Sequence, residues 1–139
     1  VDSAWRPVTL DALADQALAP FRPSDPARLV LDGPPTRVPS EVAVALVLGL
    51  HELATNAAKY GALSGERGRV RLAWAVDESG SRTRLELDWR ETGGPAPRPD
   101  AREGFGTRLL TRALSAQAGA VSALEMTADG ARWRAGFEV

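Results

Sequence analysis

Residues 40–61, SEVAVALVLGLHELATNAAKYG, decide the fold of this chain. The run contains no proline, and it begins at Ser40, a typical helix N-cap, and ends at Gly61, where we expect the left-handed backbone that often follows a helix. Residues 42–50 carry no charged or hydrogen-bonding side chain, so this half of the helix must be buried. The stretch predicts a long central helix over residues 41–60.

The elements on either side of this helix follow from hydrophobic spacing. Two further helices are predicted at residues 9–19 and 107–118, and five strands at residues 29–31, 69–76, 84–89, 121–127 and 131–139. The second and third strands are joined by a short turn and predict a hairpin. Strands in adjacent pairs with helices between them indicate an α/β (α+β) two-layer sandwich, in which a mixed sheet of about five strands is covered on one face by three helices.

Composition limits the functional classes. The chain has 139 residues and a mass of 14.8 kDa, which predicts a single domain over residues 1–139. Seventeen basic residues against 18 acidic ones give a net charge of −1, which argues against a general nucleic-acid or membrane surface. Because cysteine is absent and no export signal is recognisable, we expect a cytoplasmic protein.

The second half of the central helix is polar along one face. Glu52, Asn56 and Lys59 follow one another at steps of four and three residues, which stacks an acid, an amide and an amine. One interpretation is that the helix only emerges into solvent at this point. The other is a ligand site, because an amide oxygen beside a carboxylate suits a hard cation such as Mg²⁺.

A carboxylate also continues the apolar row of the third strand. By period two, Glu91 follows Leu85, Leu87 and Trp89 on the inward face. Burying an ionised group without a partner is costly, so Glu91 either lies beyond the covered part of the sheet or faces a hydrogen-bond donor. Gly93 and Gly94, directly after it, allow a ligand to approach the backbone closely.

A third signal is Gly104-Phe105-Gly106-Thr107, immediately before a predicted helix. Two glycines leading into a helix N-terminus expose free N–H groups at the positive end of the helix dipole, where phosphate often binds. The alternative is an ordinary glycine-rich turn with Thr107 as the N-cap. The spacing is neither that of a P-loop nor that of a dinucleotide-binding fingerprint.

Taken together, the three signals resemble the ATP-binding catalytic domain of sensor histidine kinases, in the superfamily with the Bergerat (GHKL) fold. Two stretches carry the resemblance: HELATNAAKYGA at residues 51–62 and WRETGGP at residues 89–95. They are similar to the motifs of the HWE histidine kinases, a family named for a histidine in the first motif and a Trp-x-Glu in the second. The similarity extends from about residue 29 to the C-terminus.

The resemblance implies ATP and Mg²⁺ as cofactors and a role for each motif. Asn56 would coordinate the cation on the ATP phosphates, and Glu52 would support that cation or act as a base. Glu91 would accept a hydrogen bond from the adenine amino group, and residues 95–103 would form the ATP lid. The complete nucleotide-binding set implied by the resemblance is Asn56, Lys59, Tyr60, Glu91, Gly93, Gly94, Gly104, Phe105, Gly106, Thr107 and Leu109.

His51 is the only histidine of the chain. It lies about 100° around the helix from Glu52 and is either catalytic or structural. A complete kinase of this type also needs a phosphoaccepting histidine, so the resemblance implies two partners: a dimerisation domain of the same parent protein that carries this histidine, and a downstream response regulator. Two other functions stay open: a regulatory ATP-binding module without turnover, and a serine kinase of the anti-sigma-factor type.

Overall fold

The computed structural model describes residues 8–96 and 104–139. Its helices are α1 (Leu10–Leu18), α2 (Ser40–Lys59) and α3 (Phe105–Ser115). Its strands are β1 (Leu29–Asp32), β2 (Arg69–Asp77), β3 (Arg84–Thr92), β4 (Val121–Thr127) and β5 (Gly130–Glu138). Two short 3-10 turns, Ala19–Phe21 and Pro26–Arg28, join α1 to β1.

The five strands form one mixed sheet in the order β1-β2-β3-β5-β4. Strand β1 runs parallel to β2, and the other neighbours are antiparallel. Helix α2 lies between α1 and α3, and the inward side chains of the sheet join those of the helices in one hydrophobic core. The predicted fold class, a mixed five-stranded sheet covered by three helices, is therefore confirmed.

Strand alternation separates the two faces of the sheet. Leu72 and Trp74 of β2 face the helices and are buried, whereas Arg71 and Ala75 face outward and are exposed. The β2–β3 hairpin turn is closed by Ser79, whose hydroxyl and backbone N–H donate to Asp77 at 2.6 and 2.9 Å. These hydrogen bonds, the side-chain one first, lower the pKa of Asp77 below its ordinary value.

Several predicted boundaries are wrong by a few residues. Helix α3 begins at Phe105 with Gly104 as its N-cap, so Thr107 is not the N-cap. Strand β3 continues through Glu91 to Thr92, which excludes the interpretation that Glu91 lies beyond the covered sheet. The Glu91 carboxylate can be buried in the strand because two N–H groups donate hydrogen bonds to it.

Gly61 was expected in a left-handed conformation, and this expectation is wrong. Helix α2 ends at Lys59, and the described glycines with positive φ are Gly93, Gly119 and Gly130. The position requires glycine because of space. A Cβ on residue 61 would lie 2.3 Å from Oε1 of Glu91, so a side chain would displace that carboxylate.

Close packing of α2 on α3 gives a test of the core. A Cβ on Gly49 of α2 would lie 2.5 Å from Cδ2 and 2.9 Å from Cβ of Leu110 in α3. We expect Gly49→Val to lower the free energy of unfolding by about 1–3 kcal/mol, because the two helices must separate. Urea denaturation measures this. The matched control is Gly80→Val in the hairpin turn, where the nearest atom is 3.9 Å away; equal losses for both variants would contradict the packing argument.

Candidate functional site

The polar face of α2 lies at the edge of the core. Glu52 is half-buried, whereas Asn56 and Lys59 are exposed. Asn56 makes no side-chain hydrogen bond to any described residue, so its amide oxygen is available to a ligand. Tyr60, which follows α2, is half-exposed. The acid and the amide therefore lie one helical turn apart and differ in their surroundings.

Glu52 reaches across to the start of α3. Its carboxylate accepts hydrogen bonds from the backbone N–H of Gly104 at 2.7 Å, from the hydroxyl of Thr107 at 2.9 Å, from the N–H of Thr107 at 3.4 Å, and from the N–H of Gly106. The donors expected to hold phosphate therefore hold a carboxylate of the protein itself. In this structure, the start of α3 therefore binds an anionic side chain through its free N–H groups and the Thr107 hydroxyl.

The anion-binding site is built by close backbone approach. A Cβ on Gly104 would lie 2.4 Å from Oε2 of Glu52, and a Cβ on Gly106 would lie 2.5 Å from the carbonyl oxygen of Leu48. Side chains at these two positions would fill the space used by the carboxylate and by α2. Thr107 is 2% exposed, so its hydroxyl points into the protein. Phe105 is 71% exposed and Leu109 is half-buried, at the rim of this site.

Glu91 is the buried acid of the site, and it is 3% exposed. Oε1 accepts a hydrogen bond from the backbone N–H of Ala62 at 3.0 Å, and Oε2 accepts one from the indole Nε1–H of Trp89 at 3.1 Å. Since each carboxylate oxygen has two lone pairs, one acceptor position on each oxygen is left. A buried carboxylate held in this way can accept a further hydrogen bond from an amino group.

The chain turns sharply after Glu91. Gly93 has φ of 70°, a conformation that favours glycine. The N–H of Gly94 donates to the carbonyl of Asp129 at 3.1 Å, which fixes this turn against the β4–β5 hairpin. Gly94 also packs closely on Ala62, because a Cβ at residue 94 would lie 2.8 Å from the Cα of Ala62. The predicted lid, residues 95–103, lies outside the described residues apart from its first two.

Helix α2 connects the surroundings of the two acids, Glu52 and Glu91. Glu52 near its middle faces the start of α3, and the residues after its C-terminus, Gly61 and Ala62, lie against Glu91. At 1.5 Å per residue, Glu52 and Tyr60 are separated by about 12 Å along the helix axis. The site thus has an anion-binding end and a buried-acceptor end. Between these ends, α2 carries Asn56 and Lys59, and Tyr60 directly follows the helix.

His51 contacts a different part of the protein from Glu52. Its ring packs edge-on against Phe21, with centroids 5.1 Å apart and an interplanar angle of 74°. Phe21 belongs to the turn after α1, whereas the partners of Glu52 belong to the start of α3. His51 is nevertheless exposed, so this contact does not decide between a catalytic and a structural role.

Sequence reasoning missed two contributors. Ala62 supplies the N–H that holds Glu91, and Trp89 supplies the indole N–H. The second could have been found, since residues i and i+2 of a strand share a face and an indole N–H needs a partner when buried. Nothing local in the sequence indicates the first.

The oxygen atoms of Asn56 and Glu52 bear on whether a Mg²⁺ ion could be bound here together with a nucleotide. Within residues 8–96 and 104–139, no group of three or more His, Asp or Glu could enclose a metal ion. Mg²⁺ bound with nucleotide usually takes one or two protein oxygens and fills its shell with phosphate oxygens and water. The exposed amide oxygen of Asn56 could supply one such oxygen, whereas the carboxylate of Glu52, one turn away, is held by the donors at the start of α3.

The outer face of the sheet carries a shallow cavity of about 560 Å³ between β1, β2, β3 and β5. Its charged lining includes Asp32 and Arg71, which pair with each other, and Asp88, which pairs with Arg132 at 3.2 Å. The cavity lies on the side of the sheet away from Glu52 and Glu91. The cavity is therefore separate from the polar face of α2, and its charged side chains are paired with one another or with neighbouring residues.

Helix α2 is the one described segment whose length and composition would allow it to cross a membrane. Half of its most apolar window is buried inside the protein, as is expected of a core helix.

The solved structures that this fold resembles include domains of histidine kinases. The histidine kinase domain of a blue-light-activated histidine kinase from Erythrobacter litoralis superposes with a TM-score of 0.66, at 20% identity, over 92% of this chain and 58% of that one. The ATP-binding domain of PrrB from Mycobacterium tuberculosis gives a TM-score of 0.60, at 22% identity, over 92% of each chain. The chain therefore has the histidine kinase (GHKL) catalytic fold.

Sequence identity is higher with curated proteins that are longer than this chain. A blue-light-activated histidine kinase from Brucella anthropi is 41% identical over 126 residues, which cover 91% of this chain and 26% of the relative. No protein-family model matches the chain. This similarity, together with the His-Glu-Leu and Trp-x-Glu motifs, is consistent with an HWE-family histidine kinase ATP-binding domain. The chain spans about a quarter of the length of this curated relative.

Proposed function

We propose that this chain is the ATP-binding catalytic domain of a two-component sensor histidine kinase, a single domain that binds Mg·ATP and transfers the γ-phosphate to a histidine on a separate hairpin domain. The observation that carries the proposal is the pair of sites joined by α2: an anion-binding helix start at one end and a buried acceptor, Glu91, at the other. A nucleoside triphosphate has the matching chemistry, with an anionic end and a base that bears hydrogen-bond donors.

At the base end, the adenine amino group donates to the Glu91 carboxylate. This explains why an acid is kept on the apolar face of β3. Gly93 and Gly94 allow the ring to lie close to the backbone, and Tyr60 borders the same end of α2. A base that presents a carbonyl oxygen to Glu91 is rejected, because two acceptors then face each other in a buried space.

At the phosphate end, the triphosphate takes over the N–H donors of Gly104, Gly106 and Thr107, which requires Glu52 to leave them. Phe105 and Leu109 border this end, and Lys59 adds positive charge. The released Glu52 then supports the cation through water or orients the phosphoacceptor, while Asn56 binds the cation directly. When bound, Mg²⁺ neutralises charge on the phosphates.

Catalysis in this proposal is positioning and electrostatic stabilisation. A nitrogen of the acceptor imidazole attacks the γ-phosphorus in line, the bond to the β–γ bridging oxygen breaks, and ADP leaves. The only histidine of this chain, His51, directly precedes Glu52 within the proposed nucleotide site, so we place the acceptor in another part of the parent protein. The parent then passes the phosphoryl group to a response regulator. The proposed location is the cytoplasm, and a net charge of −1 gives no reason to add nucleic acid or membrane as partners.

The test is transfer of label. Mixing this chain with the histidine-bearing domain of its parent and γ-labelled ATP is expected to label that domain, with a bond that is lost in acid and kept in alkali, as phosphohistidine is. The control is the same acceptor domain with its histidine replaced by alanine. Alkali-labile label would indicate a serine kinase instead. Tight ATP binding without label on either domain would identify a regulatory binding module.

A further inference from the structure

Residues 62–68, the last seven before β2, are held together by hydrogen bonds from one arginine. Arg28 donates through Nε to the carbonyl of Gly68 at 2.9 Å, and through Nη2 to the carbonyls of Ala62, at 3.3 Å, and Gly65. One guanidinium therefore holds the beginning, the middle and the end of the segment. We call this segment the 62–68 loop.

Arg28 reaches this loop because of the sheet topology. It ends the 3-10 turn Pro26–Arg28 just before β1, and β1 runs parallel to β2, with Leu29 paired to Val70. The start of β1 therefore lies beside the point where the loop enters β2. Among the described residues, Arg28 has carbonyl partners and no carboxylate partner, so its contribution depends on geometry more than on net charge.

Ala62 connects the loop to the buried acid. Its carbonyl accepts from Arg28, while its N–H donates to Oε1 of Glu91. Ala62 is 1% exposed, and a Cβ on Gly94 would lie 2.8 Å from its Cα, so the turn after β3 also rests on it. The position of Ala62 therefore determines both the orientation of the Glu91 carboxylate and the course of the chain beside it.

We propose that Arg28 is a positioning residue for recognition of the base: by fixing the 62–68 loop, it places the Ala62 N–H that orients the Glu91 carboxylate toward the adenine amino group. This inference rests on the proposed role of Glu91. A planar guanidinium with five N–H donors can hold three carbonyls at once, whereas the ammonium of lysine lacks this fixed fork. When Ala62 moves, Glu91 keeps only the Trp89 donor, and its free acceptor position no longer points in one direction.

The experiment compares wild type, Arg28→Met and Arg28→Lys by calorimetric titration with ATP, GTP and tripolyphosphate, in the presence of Mg²⁺. Arg28→Met is expected to weaken ATP binding about tenfold, because the base acceptor is no longer aligned, and to leave tripolyphosphate binding unchanged. Arg28→Lys is expected to lie between wild type and Arg28→Met, since it restores part of the contact to the loop.

A nucleotide-free spectroscopic measurement separates positioning from general destabilisation. In ¹H–¹⁵N NMR spectra, the Ala62 amide and Trp89 indole resonances are expected to shift in Arg28→Met, since both groups donate to Glu91. The matched control is Arg22→Met, which removes another arginine near β1, one that donates to Asp15 and to the Leu29 carbonyl. Arg22→Met is expected to change neither of the two resonances and none of the affinities for ATP, GTP and tripolyphosphate.

Two results overturn the inference, and they differ from failure of the proposed function. If a folded Arg28→Met keeps the wild-type preference for ATP over GTP and the wild-type Ala62 and Trp89 resonances, Arg28 does not position the acceptor. If Arg28→Met loses ATP and tripolyphosphate affinity equally, its effect is not on the base. Failure of the proposed function is visible in the wild-type protein, which would then bind ATP no better than tripolyphosphate.

Discussion

Replacing Glu91 with glutamine is expected to abolish the preference for adenine and to lower the free energy of unfolding by about 1–3 kcal/mol. The variant keeps the shape of the side chain and changes one oxygen into a donor. In the wild type, both oxygens accept from N–H groups, of Ala62 and of Trp89. Whichever way the amide is turned, its NH₂ therefore faces one of these donors, in a place that is 3% exposed.

Two measurements test this expectation. Urea denaturation gives the stability, and titration with ATP, GTP and tripolyphosphate gives the recognition. Glu86→Gln is the matched control, because it makes the same chemical change on the same strand at an exposed position that pairs with Arg84. An unchanged ratio of ATP to tripolyphosphate affinity in Glu91→Gln would exclude Glu91 from base recognition.

Replacing Asn56 with alanine is expected to weaken Mg²⁺-dependent ATP binding by about 10- to 100-fold while leaving the fold intact. The amide oxygen is the exposed ligand that the proposal gives to the cation, and the side chain makes no hydrogen bond to any described residue. Since alanine also favours the helical conformation more than asparagine does, the melting temperature is expected to stay the same or to rise.

Calorimetric titration with ATP in Mg²⁺, and again in a chelator, measures this effect. In the chelator, Asn56→Ala and wild type are expected to bind equally weakly. The control is Thr55→Ala, one residue away, where the hydroxyl only donates back to the carbonyl of His51 at 2.8 Å. Equal Mg²⁺ dependence in wild type and Asn56→Ala would exclude Asn56 as a ligand of the cation.

Much of the fold could be predicted from local patterns. The apolar run of residues 42–50 predicted burial of this whole half of α2. The prediction is confirmed for six of the nine residues but is wrong for Val44 and Leu48, which are 65% and 40% exposed. The alternation of β2 and β3 predicted which side chains face inward, and it placed Glu91 on the inward face beside Trp89. These features depend on periods of two and 3.6 residues, which neighbouring residues determine.

The contacts of the site could not be predicted in this way. Glu52 bonds to groups 52–55 residues later in the chain, and Arg28 bonds to groups 34–40 residues later. The spacing of Glu52 and Asn56 indicated a polar face but not which donors it meets. Gly61 looked like a helix terminator, and its actual constraint, the Glu91 carboxylate, lies 30 residues away in sequence. Such pairs depend on strand order and helix placement.

The Glu52 carboxylate at the start of α3 also has a consequence for affinity. Under the proposed function, it is a tethered competitor of the triphosphate, present at an effective concentration that dilution does not change. The apparent dissociation constant for nucleotide is the intrinsic one divided by the fraction of molecules in which Glu52 has let go. Because the carboxylate and the triphosphate cannot occupy the same donors, nucleotide binding raises the fraction of molecules in which Glu52 is released and can support the cation, so substrate occupancy and release of the acid are coupled.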